Sequence, residues 1–215
     1  MQAKVLRITE IFLSIQGEST TVGLPTVFVR LTGCPLRCNY CDTSYAFSGG
    51  REMSVGDILD EVANLGVGRV TVTGGEPLAQ AQCTALLEAF CNSGYAVSLE
   101  TSGTTSIADV DRRVRKVMDL KTPSSGEHHR NHYENLTHLG PNDEIKFVIS
   151  DRDDYEWAKS AIAERGLAEH RRLLFSPNYE DLQARTLGEW ILADRLPVRL
   201  QIQLHKYLWG DERGR

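Results

Sequence analysis

Short β-branched runs alternate with amphipathic stretches along nearly the whole 215-residue chain, and that alternation leaves few folds open. Residues 26–31 (TVFVRL) and 69–73 (RVTVT) have the make-up of buried strands. Residues 5–12, 95–99, 115–120, 144–149, 172–175 and 197–204 read as further strands. Between them, Ser54 and Asp57 form a capping-box pattern. It opens a helix with Ile58, Leu59, Val62 and Leu65 on one face, stopped at Gly66 and Gly68. Helices are expected over 78–91, 154–165 and 182–194. Strands alternating with helices give a mainly parallel sheet. A complete eight-fold β/α barrel takes about 250 residues. The expected fold is therefore one α/β domain, residues 1–215: an incomplete β/α barrel of mainly parallel strands, open at one side.

Polar motifs fall where the strands end. Gly74-Gly75-Glu76-Pro77, Glu100-Thr101-Ser102-Gly103, Asp119-Leu120-Lys121, Ser176-Pro177 and Gln203-Leu204-His205 each come at or just beyond a strand's C-terminal end. Any one of them is an ordinary turn. Together they form a ring at the edge where parallel β/α folds carry their sites.

The loop after the second strand holds Cys34, Cys38 and Cys41. Thiolates suit zinc or an iron–sulfur cluster. A structural zinc needs a fourth ligand, and none lies nearby: Cys83 and Cys91 sit in a helical stretch, and the next histidine is His128. The spacing alone leaves both metals open, one as a zinc-stabilised binding module, the other as a cluster with one iron free for chemistry. The net charge of −5 does not build a nucleic-acid-binding surface. No apolar run has membrane-spanning length, and the N-terminus lacks a signal-peptide pattern. Five cysteines, three of them clustered, do not read as a disulfide framework, and a reducing cytoplasm suits them. His128, His129 and His132 lack the accompanying pattern of a metal tract and read as a solvated loop.

Cys-x3-Cys-x2-Cys followed by a strand ending Thr73-Gly74-Gly75-Glu76-Pro77 resembles the radical S-adenosylmethionine enzymes. Ile15-Gln16-Gly17-Glu18, the Asp42-Thr43 pair and the segment 203–207 resemble, within them, the 7-carboxy-7-deazaguanine synthase family of queuosine and deazapurine biosynthesis. A glycine-radical activase shares the cysteine spacing and the GGEP strand end but not those three features. The resemblance implies a lyase in which Cys34, Cys38 and Cys41 hold a 4Fe-4S cluster whose fourth iron is chelated by S-adenosylmethionine. The resulting 5′-deoxyadenosyl radical takes a hydrogen atom from 6-carboxy-5,6,7,8-tetrahydropterin. The ring contracts, ammonia leaves, and S-adenosylmethionine is regenerated.

The implied S-adenosylmethionine contacts are Tyr40, Cys41, Asp42, Gly75, Glu76, Ser102, Asp119, Leu120 and Lys121. Glu76 is expected to accept from the cofactor's ammonium, with Gly74 and Gly75 letting the backbone approach it. Tyr40 either lies against the adenine or packs on its own loop. The implied substrate contacts are Ile15, Gln16, Gly17, Arg30, Thr73 and His205. Arg30 can pair bidentately with a substrate carboxylate, or form a salt bridge with an acidic side chain. His205 reads equally as a substrate contact or a structural histidine. Thr43 matches the family's Mg²⁺ ligand. The resemblance further implies a homodimer and an electron-donor protein, flavodoxin or ferredoxin.

Overall fold

The structure is a computed structural model that describes residues 5–169 and 172–215. One nine-stranded sheet organises the described chain, in the order β3-β1-β2-β4-β5-β6-β7-β8-β9. β1 (Val5–Ile15) runs antiparallel to both β2 (Pro25–Leu31) and β3 (Arg51–Ser54). From β2 onward every neighbour is parallel: β4 (Arg69–Gly74), β5 (Ala96–Thr101), β6 (Arg115–Asp119), β7 (Glu144–Ile149), β8 (Arg172–Pro177) and β9 (Arg199–Leu200). β3 and β9 are the two edges of the sheet, so the barrel is open, as its length implies.

The strands have two unlike faces, because successive side chains alternate. Val27, Val29 and Leu31, Val70 and Val72, Ile145, Phe147 and Ile149 point outward into the main core. There they meet Ile58 and Val62 of α1 (Val55–Asn64), Leu86, Leu87 and Phe90 of α2 (Cys83–Asn92), Tyr155 and Ile162 of α3 (Arg152–Glu164), and Leu187 of α4 (Ala184–Asp194). Each such side chain, fully buried, contributes roughly 1.5–3 kcal/mol. The inward face is polar. Thr71 meets Ser98 at 2.7 Å and Thr73 donates to Glu100 at 2.8 Å, a ladder of hydrogen bonds where a packed barrel would have branched apolar layers.

Local differences from the sequence reading have local causes. Ser54 and Asp57 do form the capping box. α2 starts at Cys83 because Pro77 opens a separate short 3-10 turn, Pro77–Ala79. β9 keeps only two residues of the expected 197–204 strand. The chain then turns inward and forms α5 (Leu204–Trp209), whose first residue bonds to the β1–β2 connection: Leu204 N donates to Gly17 O at 3.0 Å. β3 was not expected; its four residues pair with the start of β1.

Candidate active site

The cysteine loop leaves the C-terminal end of β2 and is clamped from two sides. Toward β4, Glu76 N donates to Gly33 O at 2.9 Å. Toward the segment after β6, Arg37 N donates to Glu127 Oε1 at 2.6 Å and Asn39 N to Ser125 O at 3.1 Å. Arg130 reaches back to Pro35 O. A side chain at Gly75 would stand 2.3 Å from Gly33 O and 2.6 Å from Cys34 Cβ. Gly74, at φ +146°, lies equally close to Leu31 O. The glycines of the GGEP turn thus let the cysteine loop lie against β4, a role distinct from the expected approach to a cofactor.

Cys34, Cys38 and Cys41 are half-buried, and burial raises all three thiols, Cys38 to about 11. Among the described residues no three His, Cys, Asp or Glu side chains converge on one ion-sized point. A zinc site needs all its ligands to meet a single ion. A cubane needs no such convergence, because each thiolate binds its own iron.

Around the rim, Glu76 is fully buried, and its carboxylate accepts from Thr101 Oγ1, Ser102 N and Oγ, and Leu78 N. Both oxygens are therefore engaged. Glu76 ties the ends of β4 and β5 together and places Ser102. Lys121 Nζ bonds Asp119 Oδ2 at 2.9 Å and lies 5.9 Å from the Tyr40 ring centroid. Burial opposes the Lys121 charge, but Asp119, Tyr40 and Cys38 outweigh it and raise its pKa. Asp119 Oδ1 is buried without a partner among the described residues, the mark of a group awaiting a donor. A cavity of about 380 Å³ opens beside Asn39 and Tyr40, bounded by Ser124, Ser150, Asp151 and Asn178.

Below the rim lies a charged lumen. The connection after β1 crosses it: Gln16 Nε2 donates to Thr71 Oγ1 at 3.2 Å, Glu18 receives Lys146 Nζ at 2.7 Å, and Thr20 N donates to Glu144 at 3.1 Å. Gly17 packs flat on His205, whose Nδ1 would stand 2.0 Å from any Cβ there. Lys146 Nζ also lies 3.9 Å from Asp119, so one ammonium joins the rim to the floor. Gln203 Nε2 bridges Glu18, at 2.9 Å, toward Asp42, at 3.4 Å, and Thr43 Oγ1 donates to Asp42 at 2.7 Å. Arg30 Nε is held by Glu10 at 2.7 Å, with its guanidinium between Phe12 and Tyr45.

The chain is similar to known proteins. The Radical SAM superfamily profile matches residues 28–167. The 7-carboxy-7-deazaguanine synthase of Chlorobaculum tepidum is 46% identical over 97% of each chain. That of Koribacter versatilis is 44% identical over 96% of this chain and 98% of its own. The chain belongs to the 7-carboxy-7-deazaguanine synthase family. The crystal structure of QueE from Escherichia coli shares the fold, at a TM-score of 0.78 and 23% identity over 94% of this chain and 95% of that one.

The residues that the synthase resemblance picks out fall into two groups. Tyr40, Cys41, Asp42, Gly75, Glu76, Ser102, Asp119, Leu120 and Lys121 lie on the rim. Gln16, Gly17, Thr73 and His205 meet in or beside the lumen, with Ile15 at the end of β1 and Arg30 on the inward side of β2. The rim and the floor are joined by Glu18, Glu100, Lys146 and Gln203; the sequence motifs include Glu18, Glu100 and Gln203 but assign none of the four a contact with cofactor or substrate. A signal for two of them was present. Glu100 and Lys146 are charged residues within central strands, on the face opposite Leu99 and Phe147.

The lumen's charges are uneven. Burial raises Glu18, but the Lys146 charge and hydrogen bond, Gln203 and His205 outweigh it and leave its carboxyl below the ordinary value. Burial also raises Glu100, and the Glu18 charge adds to it. Lys146, the Thr73 bond and Arg30 pull back less, so Glu100 stays above the ordinary value. For Asp42, burial is outweighed by the Thr43 hydroxyl, Lys206, Lys146 and Gln203, and its carboxyl is lowered.

Proposed function

We propose that the chain catalyses the ring contraction of 6-carboxy-5,6,7,8-tetrahydropterin to 7-carboxy-7-deazaguanine with loss of ammonia, the reaction of 7-carboxy-7-deazaguanine synthase. The observation that carries this reading is the three-thiol loop clamped against the Gly74-Gly75 turn and opening on a charged, polar lumen. Cys34, Cys38 and Cys41 hold a 4Fe-4S cluster, and their soft donor set fits it. With S-adenosylmethionine bound, the cluster supplies a one-electron route to hydrogen-atom abstraction.

The protein's share is binding and orientation. Asp119, through its free Oδ1, Lys121, Ser102, Leu120 and the backbone at Gly75 and Cys41 hold S-adenosylmethionine on the rim, with Tyr40 and Asp42 beside it. Glu76 acts by fixing Ser102. The lumen holds the pterin. Gln16, Thr73 and the backbone of Ile15 and Gly17 offer hydrogen bonds to a flat heterocycle, and His205 closes one side. Arg30 uses Nε on Glu10, which leaves its Nη atoms for the substrate carboxylate. Thr43 ligates Mg²⁺, with substrate and water oxygens completing the shell. An enclosed site suits an abstraction that tolerates little misplacement.

A homodimer, an electron-donor protein such as flavodoxin or ferredoxin, and a cytoplasmic location complete the reading. Among the described residues, no helix is long and apolar enough to cross a membrane. The test is anaerobic reconstitution followed by an assay with the pterin, S-adenosylmethionine and a reductant. The expected result is bound iron and sulfide, 7-carboxy-7-deazaguanine and ammonia. Stoichiometric zinc without iron, or no product from the pterin, overturns the reading.

A further inference from the structure

Gln201 directly follows β9 and belongs to none of the site motifs. Its N donates to Phe175 O at 2.8 Å, so it continues the register in which Phe175 faces Leu200. Phe175 belongs to the outer core. Leu200 therefore points outward, and Gln201, one residue on, points into the lumen. There its Nε2 donates to Ile202 O at 2.7 Å and to Gly17 O at 3.5 Å. Gly17 is also the seat of His205.

Gln201 is 3% exposed, and its Oε1 is buried without a hydrogen-bond partner among the described residues. Asp119 Oδ1, Tyr40 Oη and Ser14 Oγ are in the same state. The first two lie on the rim, and the third is a hydroxyl that can turn its proton to suit. An amide oxygen can only accept. Turning the amide over does not help. It would set Oε1 against the Ile202 and Gly17 carbonyls and lose both bonds of Nε2. The side chain is thus locked with its acceptor bare, and a buried acceptor left unpaired is costly enough to mark a place for a donor.

Neighbouring acceptors of the lumen already hold donors. Gly17 O receives Leu204 N at 3.0 Å, Glu18 receives Lys146 and Gln203, and Glu100 receives Thr73. The pterin of the proposed reaction brings N–H donors on its pyrimidine ring, among them an exocyclic amino group. Its dioxo counterpart carries an oxygen, an acceptor, at that position.

We propose that Gln201 is a specificity residue of the pterin site: its Oε1 accepts from the exocyclic amino group, and its locked amide rejects a ring with oxygen there. The inference rests on the ring-contraction reading and names the group by which that site tells a pterin from its dioxo analogue. An oxo group would set a second acceptor against Oε1, and the amide cannot rotate to meet it without facing two carbonyls. A site built to bond a donor rejects an analogue that lacks it, because the buried acceptor is then left unpaired.

Two ligands test this on the cluster-loaded enzyme with S-adenosylmethionine, without oxygen. One is 6-carboxy-5,6,7,8-tetrahydropterin. The other is the same compound with oxygen in place of the exocyclic amino group. The parent should bind the first more tightly by about tenfold or more. Gln201→Met keeps the length of the side chain without the amide. It should weaken pterin binding by about tenfold and leave the dioxo compound unchanged, so that the preference collapses. A preference that survives the substitution overturns the proposal, whether both ligands weaken alike, as loss of packing or of a buried water would cause, or neither does. A parent that converts the pterin yet binds the two ligands alike also overturns it. A parent that neither binds nor converts the pterin refutes the ring-contraction reading instead. If Gln201→Met loads no cluster, Gln201→Ser decides. A serine hydroxyl can donate or accept, so the preference should again fall by about tenfold, and an unchanged preference overturns the proposal.

Discussion

The rim and the floor of the half-barrel are built by different means. The rim is backbone against backbone: Gly74 and Gly75 let β2, β4 and the cysteine loop meet at distances that no Cβ allows. The floor is side chain against side chain: Glu18 is held by Lys146 and Gln203, which also reach Asp119 and Asp42 on the rim. A site made of backbone fails sterically, at one position, and takes the cluster with it. A site made of charges fails electrostatically, and the failure spreads to every group that shared the lost partner.

The largest expected effect is on the rim. Gly75→Ala puts a methyl 2.3 Å from Gly33 O, which is main chain and cannot swing away. The cysteine loop must shift. We expect turnover to fall by about 10²-fold or more, with less iron and sulfide per chain after anaerobic reconstitution. A variant with full cluster content and parent activity would break the distinction between rim and floor.

Lys146→Met tests the floor by the opposite route. It introduces no clash but leaves Glu18 and Asp119 without their shared cation. Breaking a buried pair by removing one partner costs about 3–5 kcal/mol. Anaerobic urea unfolding should show that loss, and Lys146→Met combined with Glu18→Gln should recover part of it. A loss that the second substitution does not reduce would mean that Lys146 matters for packing and not for charge.

Gly17→Ala lies where the two kinds of construction meet, because a glycine is needed there to seat a side chain. The added methyl would sit 2.0 Å from His205 Nδ1, but α5 is a six-residue helix with no fully buried side chain, so it can yield. The expected outcome is a rise of about tenfold in KM for the pterin, with normal cluster content and S-adenosylmethionine binding. Loss of the cluster in this variant would show that floor and rim are one unit.

The same contrast explains what could be read from the sequence. The rim was legible because backbone packing needs particular residues in a row: Cys34, Cys38 and Cys41, then Gly74-Gly75-Glu76-Pro77. The alternation that gave an open, mainly parallel sheet was legible for the same reason, since it repeats locally. The hydrogen bonds of Glu76 were not, because its partners Thr101 and Ser102 lie a strand away. Nor were Glu18 and Lys146, which are 128 residues apart and acquire meaning only from each other. The expected strand over 197–204 failed similarly. Nothing local says that Leu204 will bond to Gly17 and turn the chain inward.

The smallest effect is the most discriminating within the floor, because it sets Glu18 against Glu100. Glu18 has a folded pKa below its ordinary 4.5. Its contribution to stability is therefore complete above 4.5 and is lost as the pH falls through the lower folded value. Glu100 is the reverse. Its folded pKa lies above 4.5, so its contribution is complete below that pH and is lost as the pH rises through the folded value. Glu18→Gln should thus destabilise the cluster-loaded protein at neutral pH, and the deficit should shrink on the acid side of 4.5. Glu100→Gln should do the opposite: its thermal midpoint relative to the parent should climb as the pH rises above 4.5. Anaerobic melting curves of the two variants across that range check both signs at once. Parallel curves would mean that the two carboxyls share one environment, and the floor would then lack the asymmetry that separates an acid from its charged neighbour.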